Sequence, residues 1–256
     1  MKKTVLLLSC CVLSIIQYSC KRNKYTEVVE VPLPSAEEKM TLGSPEDVKA
    51  EKGTFEITKL SFEYDALAPN IDAQTMQIHY SKQYVNFTNS LNKAISGTEF
   101  ENTSAEELFN KLDLANTNLK NNLGGYYNHT LYFETLTPKG SGKPSDSLAS
   151  AINKDFGSFE DFKTQFKEDA NKQFGSGWTW LIINKSGKLE ITSTSNQDNP
   201  LMPGAEISGT PIMAIDLWEH AYYLNYQNNK KKYIDNFFNL INWKKVGEKF
   251  ENAIDK

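Results

Sequence analysis

The chain has 256 residues with 39% hydrophobic and 12% aromatic content, enough to bury a substantial core and too apolar for a disordered chain. Its net charge of -4 lacks the basic surplus that nucleic-acid binding usually requires, so no nucleic-acid partner is expected. With three cysteines in the whole chain, a disulfide-dense scaffold is excluded as well.

The N-terminus reads as an export signal. Lys2 and Lys3 precede an apolar run over residues 5–16, the length of a signal-peptide core and too short to span a bilayer. Cys20 follows directly, in a setting that resembles the lipobox of bacterial lipoproteins, where the cysteine is acylated and becomes the mature N-terminus. Gln17 and Tyr18 depart from that pattern, and an ordinary secretory signal fits the same run. Removing residues 1–19 takes away Cys10 and Cys11, leaving one cysteine and no internal disulfide, and loss of Lys2 and Lys3 moves the charge from -4 to -6. The fold then has to rest on its core or on a metal. Residues 20–59, rich in Glu, Lys, Pro, Ser and Thr without apolar period, are expected to be a lipid-anchored tether.

The next stretch is helical in pattern. Asp72 is placed to cap a helix, and Met76, Tyr80, Tyr84, Phe87 and Leu91 recur at steps of three and four. Ser104 with Glu107 forms a capping box before a second helix to Leu112, and a third helix is expected over residues 115–133. After a loop over residues 137–144, helices start at Ser145 or Asp146 and at Ser158. The period then changes to that of strands: residues 178–183, a turn over 184–187, and 189–193 make a hairpin, and residues 211–217 a third short strand. A closing helix is expected from Glu219 onward. The order is α+β, helices first and then a small antiparallel sheet wrapped by helices, dividing near residues 140–147.

All three histidines, His79, His129 and His220, lie in apolar or aromatic surroundings. One such histidine is ordinarily a satisfied core residue, but three of three suggest that the fold brings them together, since each buried imidazole leaves two nitrogens needing partners. Asp216, in Asp216-Leu217-Trp218-Glu219-His220, is the fourth candidate, because a buried carboxylate needs pairing or a metal. Three imidazoles and a carboxylate suit iron, manganese or zinc.

From about Leu60 to Lys256 the chain resembles the iron/manganese superoxide dismutases. The likeness is carried by Tyr64-Asp65-Ala66-Leu67, by the run from Asp72 to His79, by Asn128-His129-Thr130, Gly175-Ser176-Gly177-Trp178, Asn196-Gln197-Asp198 and the run from Asp216 to Tyr223. The resemblance implies an N-terminal helical hairpin domain over residues 60–142 and, over 143–256, a three-stranded antiparallel sheet surrounded by helices. It implies one manganese or iron ion per subunit held by His79, His129, Asp216 and His220 with a solvent molecule, dismuting superoxide. By position, Gln197 would hydrogen-bond that solvent. Its combination with Gly125, where iron forms carry a glutamine, points to manganese. Trp178 and Trp218 would wall the pocket. Glu219 and Tyr223 would face a second subunit in a homodimer or dimer-based tetramer, Glu219 bonding the partner's His220. Phe87 stands where the family has its gateway tyrosine, Gln83 where it has a histidine and Phe133 where it has a tryptophan, so a hydroxyl-mediated proton relay to Gln197 is lost. Lys82 and Lys230 are candidates for attracting the superoxide anion.

The expectation is therefore an exported dismutase in a bacterial cell envelope, anchored to a membrane through Cys20. A metal-binding envelope protein of the same fold with little turnover is the alternative. A zinc hydrolase fits less well, because four protein ligands leave little open coordination and no glutamate base stands at a recognisable spacing.

Overall fold

The computed structural model describes residues 41–140, 142–144 and 146–254. The leader over residues 1–19, Cys20 and the first half of the expected tether lie outside the described residues. The second half of that tether is instead a strap packed on the first helix. Glu51 N–H donates to Asn89 Oδ1 at 2.7 Å, Phe55 N–H to Asn92 Oδ1 at 2.8 Å, and Thr58 N–H to the Tyr84 hydroxyl at 3.0 Å. Phe55 is buried, and Val48, Ile57 and Leu60 pack against the core. Composition concealed this because main-chain groups make most of the strap's bonds, and those leave no trace in side-chain type.

Asp72 caps the first helix as expected, its Oδ1 accepting the Thr75 N–H at 2.9 Å. The helix runs as α1 (Ala73–Ile78), a wider π turn (His79–Tyr84) and α2 (Val85–Ile95). Met76, Tyr80, Tyr84 and Leu91 are buried, but the stripe continues through Thr88 rather than Phe87, which is only half-buried. A π turn carries an extra residue per turn and so shifts the register of the α2 residues beyond it. The Ser104–Glu107 capping box opens α3 (Ala105–Asn110), and Asn116 caps α4 (Thr117–Glu134). α2, α3 and α4 close over Leu91, Ile95, Leu108, Phe109, Leu119 and Leu123.

The C-terminal part begins with α5 (Asp146–Phe156) and α6 (Phe159–Lys172), the latter capped by Ser158, whose Oγ accepts the Asp161 N–H at 3.0 Å. Strands β1 (Gly177–Asn184), β2 (Leu189–Ser195) and β3 (Gly209–Asp216) form an antiparallel sheet in the order β2-β1-β3. Central β1 is covered on both faces and reads as a nearly continuous apolar run, whereas edge β2 buries only Leu189 and Thr192. The register sets Trp178 opposite Asp216, which puts the end of β3 beside the start of β1.

The closing segment is not one helix. It is a short turn (Glu219–Ala221) followed by α7 (Tyr223–Tyr226), α8 (Lys230–Phe237) and α9 (Trp243–Ile254). Gln227 takes a left-handed φ of 52°, ending α7, and the Asn229 and Asn242 side chains accept N–H bonds from Lys232 and Lys245 at the starts of α8 and α9. These first-turn N–H groups have no acceptor within a helix, so the asparagine caps start new helices where apolar spacing alone would continue one.

Candidate metal centre

Four separate elements each deliver one group. His79 opens the π turn, His129 lies in α4, Asp216 ends β3, and His220 sits in the short turn after it. One ligand atom from each lies within 4.8 Å of the others. His79, His129 and Asp216 are fully buried and His220 partly so. Asp216 Oδ2 is the focus, with the Nε2 atoms of His220, His79 and His129 at 3.1, 3.2 and 3.7 Å.

The protons around this cluster can be placed by elimination. The His129 Nδ1 is 2.6 Å from the Gly125 carbonyl, which can only accept, so Nδ1 carries the hydrogen and Nε2 presents a lone pair. The Trp218 N–H donates to Asp216 Oδ1 at 2.8 Å, leaving Oδ2 for the histidines. Although His79 Nε2 is near Asp216 Oδ2, it lacks hydrogen-bond alignment, and neither it nor His129 Nε2 has a hydrogen-bond partner among the described residues. Each such buried group costs about 1–3 kcal/mol unless something accepts its lone pair.

Burial pushes His79 down to about 4 and His129 well below the ordinary imidazole range, with neighbouring His79 adding to the effect on His129. Burial acts the other way on Asp216, but the charge and hydrogen bond of His220, with help from His79, outweigh it and hold the carboxyl below its usual range. Imidazoles converging on an ionised carboxylate, without any thiolate, are a nitrogen and oxygen donor set that fits manganese or iron.

Aromatic rings wall the cluster. Phe133 lies 4.9 Å from His79 and Trp178 5.2 Å from His129, while Trp218 stacks on His220 at 5.7 Å. Phe87 is 5.2 Å from His129 and packs on Gly125, where an added Cβ would come within 2.3 Å of its ring. Gly124 has a similar role for the loop after β2, since a Cβ there would fall 2.0 Å from the Gln197 carbonyl oxygen. Gln197 is buried, with Oε1 accepting from Trp178 Nε1 and Asn128 Nδ2, both at 3.1 Å, and with no partner for Nε2 among the described residues.

Other expected residues lie apart. Glu219 is exposed and accepts from Ser176 Oγ at 3.0 Å, and Tyr223 is 49% exposed. Lys82 is exposed, whereas the Lys230 Nζ is tied to the Gln173 carbonyl at 2.7 Å. Sequence reasoning gave no role to Asn128 and Asn199, which hold Gln197, nor to Tyr84, which stacks on His129 at 6.0 Å. For Asn128 a signal existed, a polar residue beside a ligand in an otherwise apolar helix face. For Asn199, in a polar loop, there was none.

Comparison with known proteins agrees with this geometry. Residues 54–137 match the alpha-hairpin domain of iron/manganese superoxide dismutases, and residues 144–249 match their C-terminal domain. A superoxide dismutase (Mn) of Listeria monocytogenes is 45% identical over 205 residues, covering 78% of this chain and 99% of that protein. A superoxide dismutase (Mn/Fe) of Methylomonas sp. strain J is 45% identical over 204 residues, covering 78% of this chain and 99% of its own length. A superoxide dismutase (Mn) of Acinetobacter baylyi is 45% identical over 204 residues, 79% of this chain and 90% of the relative. Matched in both of its domains and related along nearly the full length of those proteins, the chain belongs to the iron/manganese superoxide dismutase family.

Proposed function

We propose that this protein is a superoxide dismutase, converting two superoxide anions and two protons to one dioxygen and one hydrogen peroxide at one manganese or iron ion per subunit. The observation that carries this reading is the convergence of three imidazole nitrogens, those of His79 and His129 fully buried, on Asp216 Oδ2, the oxygen that Trp218 leaves free. An ion held there would supply the one-electron couple that first oxidises and then reduces superoxide. Asp216 contributes negative charge that favours the more oxidised metal, and His79 and His129, kept neutral by burial, add none. Gln197 presents an amide donor to the centre. Trp178, Trp218, Phe87 and Phe133 surround the histidines with apolar rings and so limit bulk water at the centre. Phe87 has no hydroxyl, so protons reach this wall through solvent rather than through a side chain at that position.

Manganese is the favoured metal. Gln197 comes from the loop after β2, the space at Gly125 is closed by the Phe87 ring, and relatives named for manganese are 45% identical. A homodimer is supported by the exposed face around Glu219, Tyr223, Leu224 and Phe174, the last 96% exposed. On that face Glu219 would reach the partner's His220. The leader and Cys20 support export and membrane anchoring in a bacterial cell envelope.

The test is to purify the chain from residue 21 onward, measure bound metal, and assay superoxide removal beside Asp216→Ala. Stoichiometric manganese or iron with rapid superoxide removal, both lost in Asp216→Ala, is expected. Metal without turnover would establish the binding-protein alternative that the missing Phe87 hydroxyl favours. Detergent partition that is identical for the full chain and Cys20→Ala would remove the anchor.

A further inference from the structure

Asparagine and glutamine amides can turn over and exchange donor for acceptor, so their orientation must be read from neighbours that have only one role. Three groups of this kind orient the amides of Asn199, Asn128 and Gln197: the Leu201 N–H, the Gln197 main-chain carbonyl and Trp178 Nε1. The Leu201 N–H donates to Asn199 Oδ1 at 2.8 Å, which turns Asn199 Nδ2 toward α4. There it donates to Asn128 Oδ1, also at 2.8 Å. Asn128 Nδ2 therefore lies on the far side, donating to the Gln197 main-chain carbonyl at 3.2 Å and to Gln197 Oε1 at 3.1 Å. Trp178 Nε1, a donor only, reaches the same Oε1 at 3.1 Å. Both acceptor positions of Oε1 are taken, and Nε2 is left as a buried donor without a partner among the described residues. Asn199, Asn128 and Gln197 are 1%, 0% and 2% exposed, so bulk water cannot reset the direction of the ladder.

We propose that Asn199 is a positioning residue for the metal centre: through Asn128, and together with the donor Trp178 Nε1, it commits Gln197 to present its NH2 end, rather than its carbonyl, to the bound ion's surroundings. This rests on the proposed metal-dependent function. A reversed Gln197 would offer an acceptor in place of a donor and so favour a different metal charge. The loop is fixed at other points too, by Lys120 to Asp198 at 2.6 Å and by Trp218 Nε1 to the Asn196 carbonyl at 3.0 Å, but neither bond selects an amide direction.

Two substitutions separate polarity from packing. Asn199→Asp keeps the shape and the acceptor for Leu201, but its carboxylate opposes Asn128 Oδ1 and drives that amide to turn, setting carbonyl against carbonyl at Gln197. Asn199→Ala merely deletes the rung. A polarity role makes the aspartate variant the more perturbed at the metal, whereas a packing role makes the alanine variant so. The full chain, wild type and variants with Gln197→Ala, is loaded with manganese. Metal content, the visible absorption band, the midpoint of a redox titration and superoxide removal are then compared. The expected result is full metal content in both Asn199 variants, with band and midpoint shifted more in Asn199→Asp than in Asn199→Ala and superoxide removal reduced about tenfold or more in Asn199→Asp. The reverse order overturns the proposal. So do bands and midpoints unchanged in both variants while Gln197→Ala shifts them. If Asn199→Asp does not fold, Asn199→Ala decides, an unshifted band overturning the idea. A silent Gln197→Ala would overturn it together with the placement of Gln197 at the metal, and a wild type that takes up no metal would overturn the functional reading as well.

Discussion

The Trp218 N–H donates to Asp216 Oδ1 at 2.8 Å, and this one bond decides which carboxylate oxygen faces the three imidazoles. An asparagine at 216 can keep that bond and fill the same volume while losing the charge. Asp216→Asn should therefore lower metal affinity by about a hundredfold or more, beyond the loss usual for residues behind the ligands. The metal-free protein should also melt at a lower temperature, because the carboxyl held below its usual range contributes native stability through its charge, which asparagine lacks. Elemental analysis and apo-protein melting check the two halves separately.

The metal-free protein should lose stability on acidification in a defined window. Folded His79 binds its proton only near pH 4, against an ordinary value of 6.5, and His129 is displaced the same way. Between those values the unfolded chain binds more protons than the native one, so stability is complete above about 6.5 and falls toward 4, by roughly 1.4 kcal/mol per unit for each such group. Asp216, also depressed, contributes above its ordinary 3.8 and fails below it. Urea unfolding of the apo protein at several pH values should show this slope. A flat profile from pH 6.5 to 4 would contradict it.

Metal should stabilise the native state by mass action, since the unfolded chain has no assembled site. At about a thousandfold excess of ion over its dissociation constant the gain is about 4 kcal/mol, visible as a raised melting temperature that a chelator abolishes. The raised temperature should be absent in Asp216→Asn.

Gly124→Ala and Gly125→Ala should both destabilise, even though alanine favours a helix interior by about 1 kcal/mol. Overpacking costs about 1–3 kcal/mol, and the first variant should be the worse. Its Cβ meets the Gln197 main-chain carbonyl, which is fixed by its loop, whereas the second meets the movable Phe87 ring. Thermal melting ranks them, and reduced metal-dependent turnover in Gly124→Ala would trace the damage to Gln197.

Phe87→Tyr should leave metal content unchanged and alter turnover, because Phe87 contacts the ring of His129 but supplies no ligand. A changed kcat with equal metal loading is the expected reading, and metal loss would show that the added hydroxyl disturbs packing instead.

The four clustered groups were legible because burying histidine and aspartate among aromatics violates the usual preference for polar surfaces, and such violations show in a linear pattern. Caps were legible for a related reason: Asp72, Ser104 and Ser158 act on N–H groups two or three residues away. The closing helix was misjudged because apolar spacing continued across asparagines whose side chains capture the backbone locally.

By itself, the sequence determined the α+β order, the starts of the capped helices at Asp72, Ser104 and Ser158, and which four groups cluster, all of which depend on residue type and short spacing. Only the tertiary structure decided the strap over α2, the turn of Phe87 toward His129 and the Asn199–Asn128–Gln197 ladder. Those features depend on which main-chain carbonyl or N–H lies opposite a given side chain, and every residue carries the same main chain.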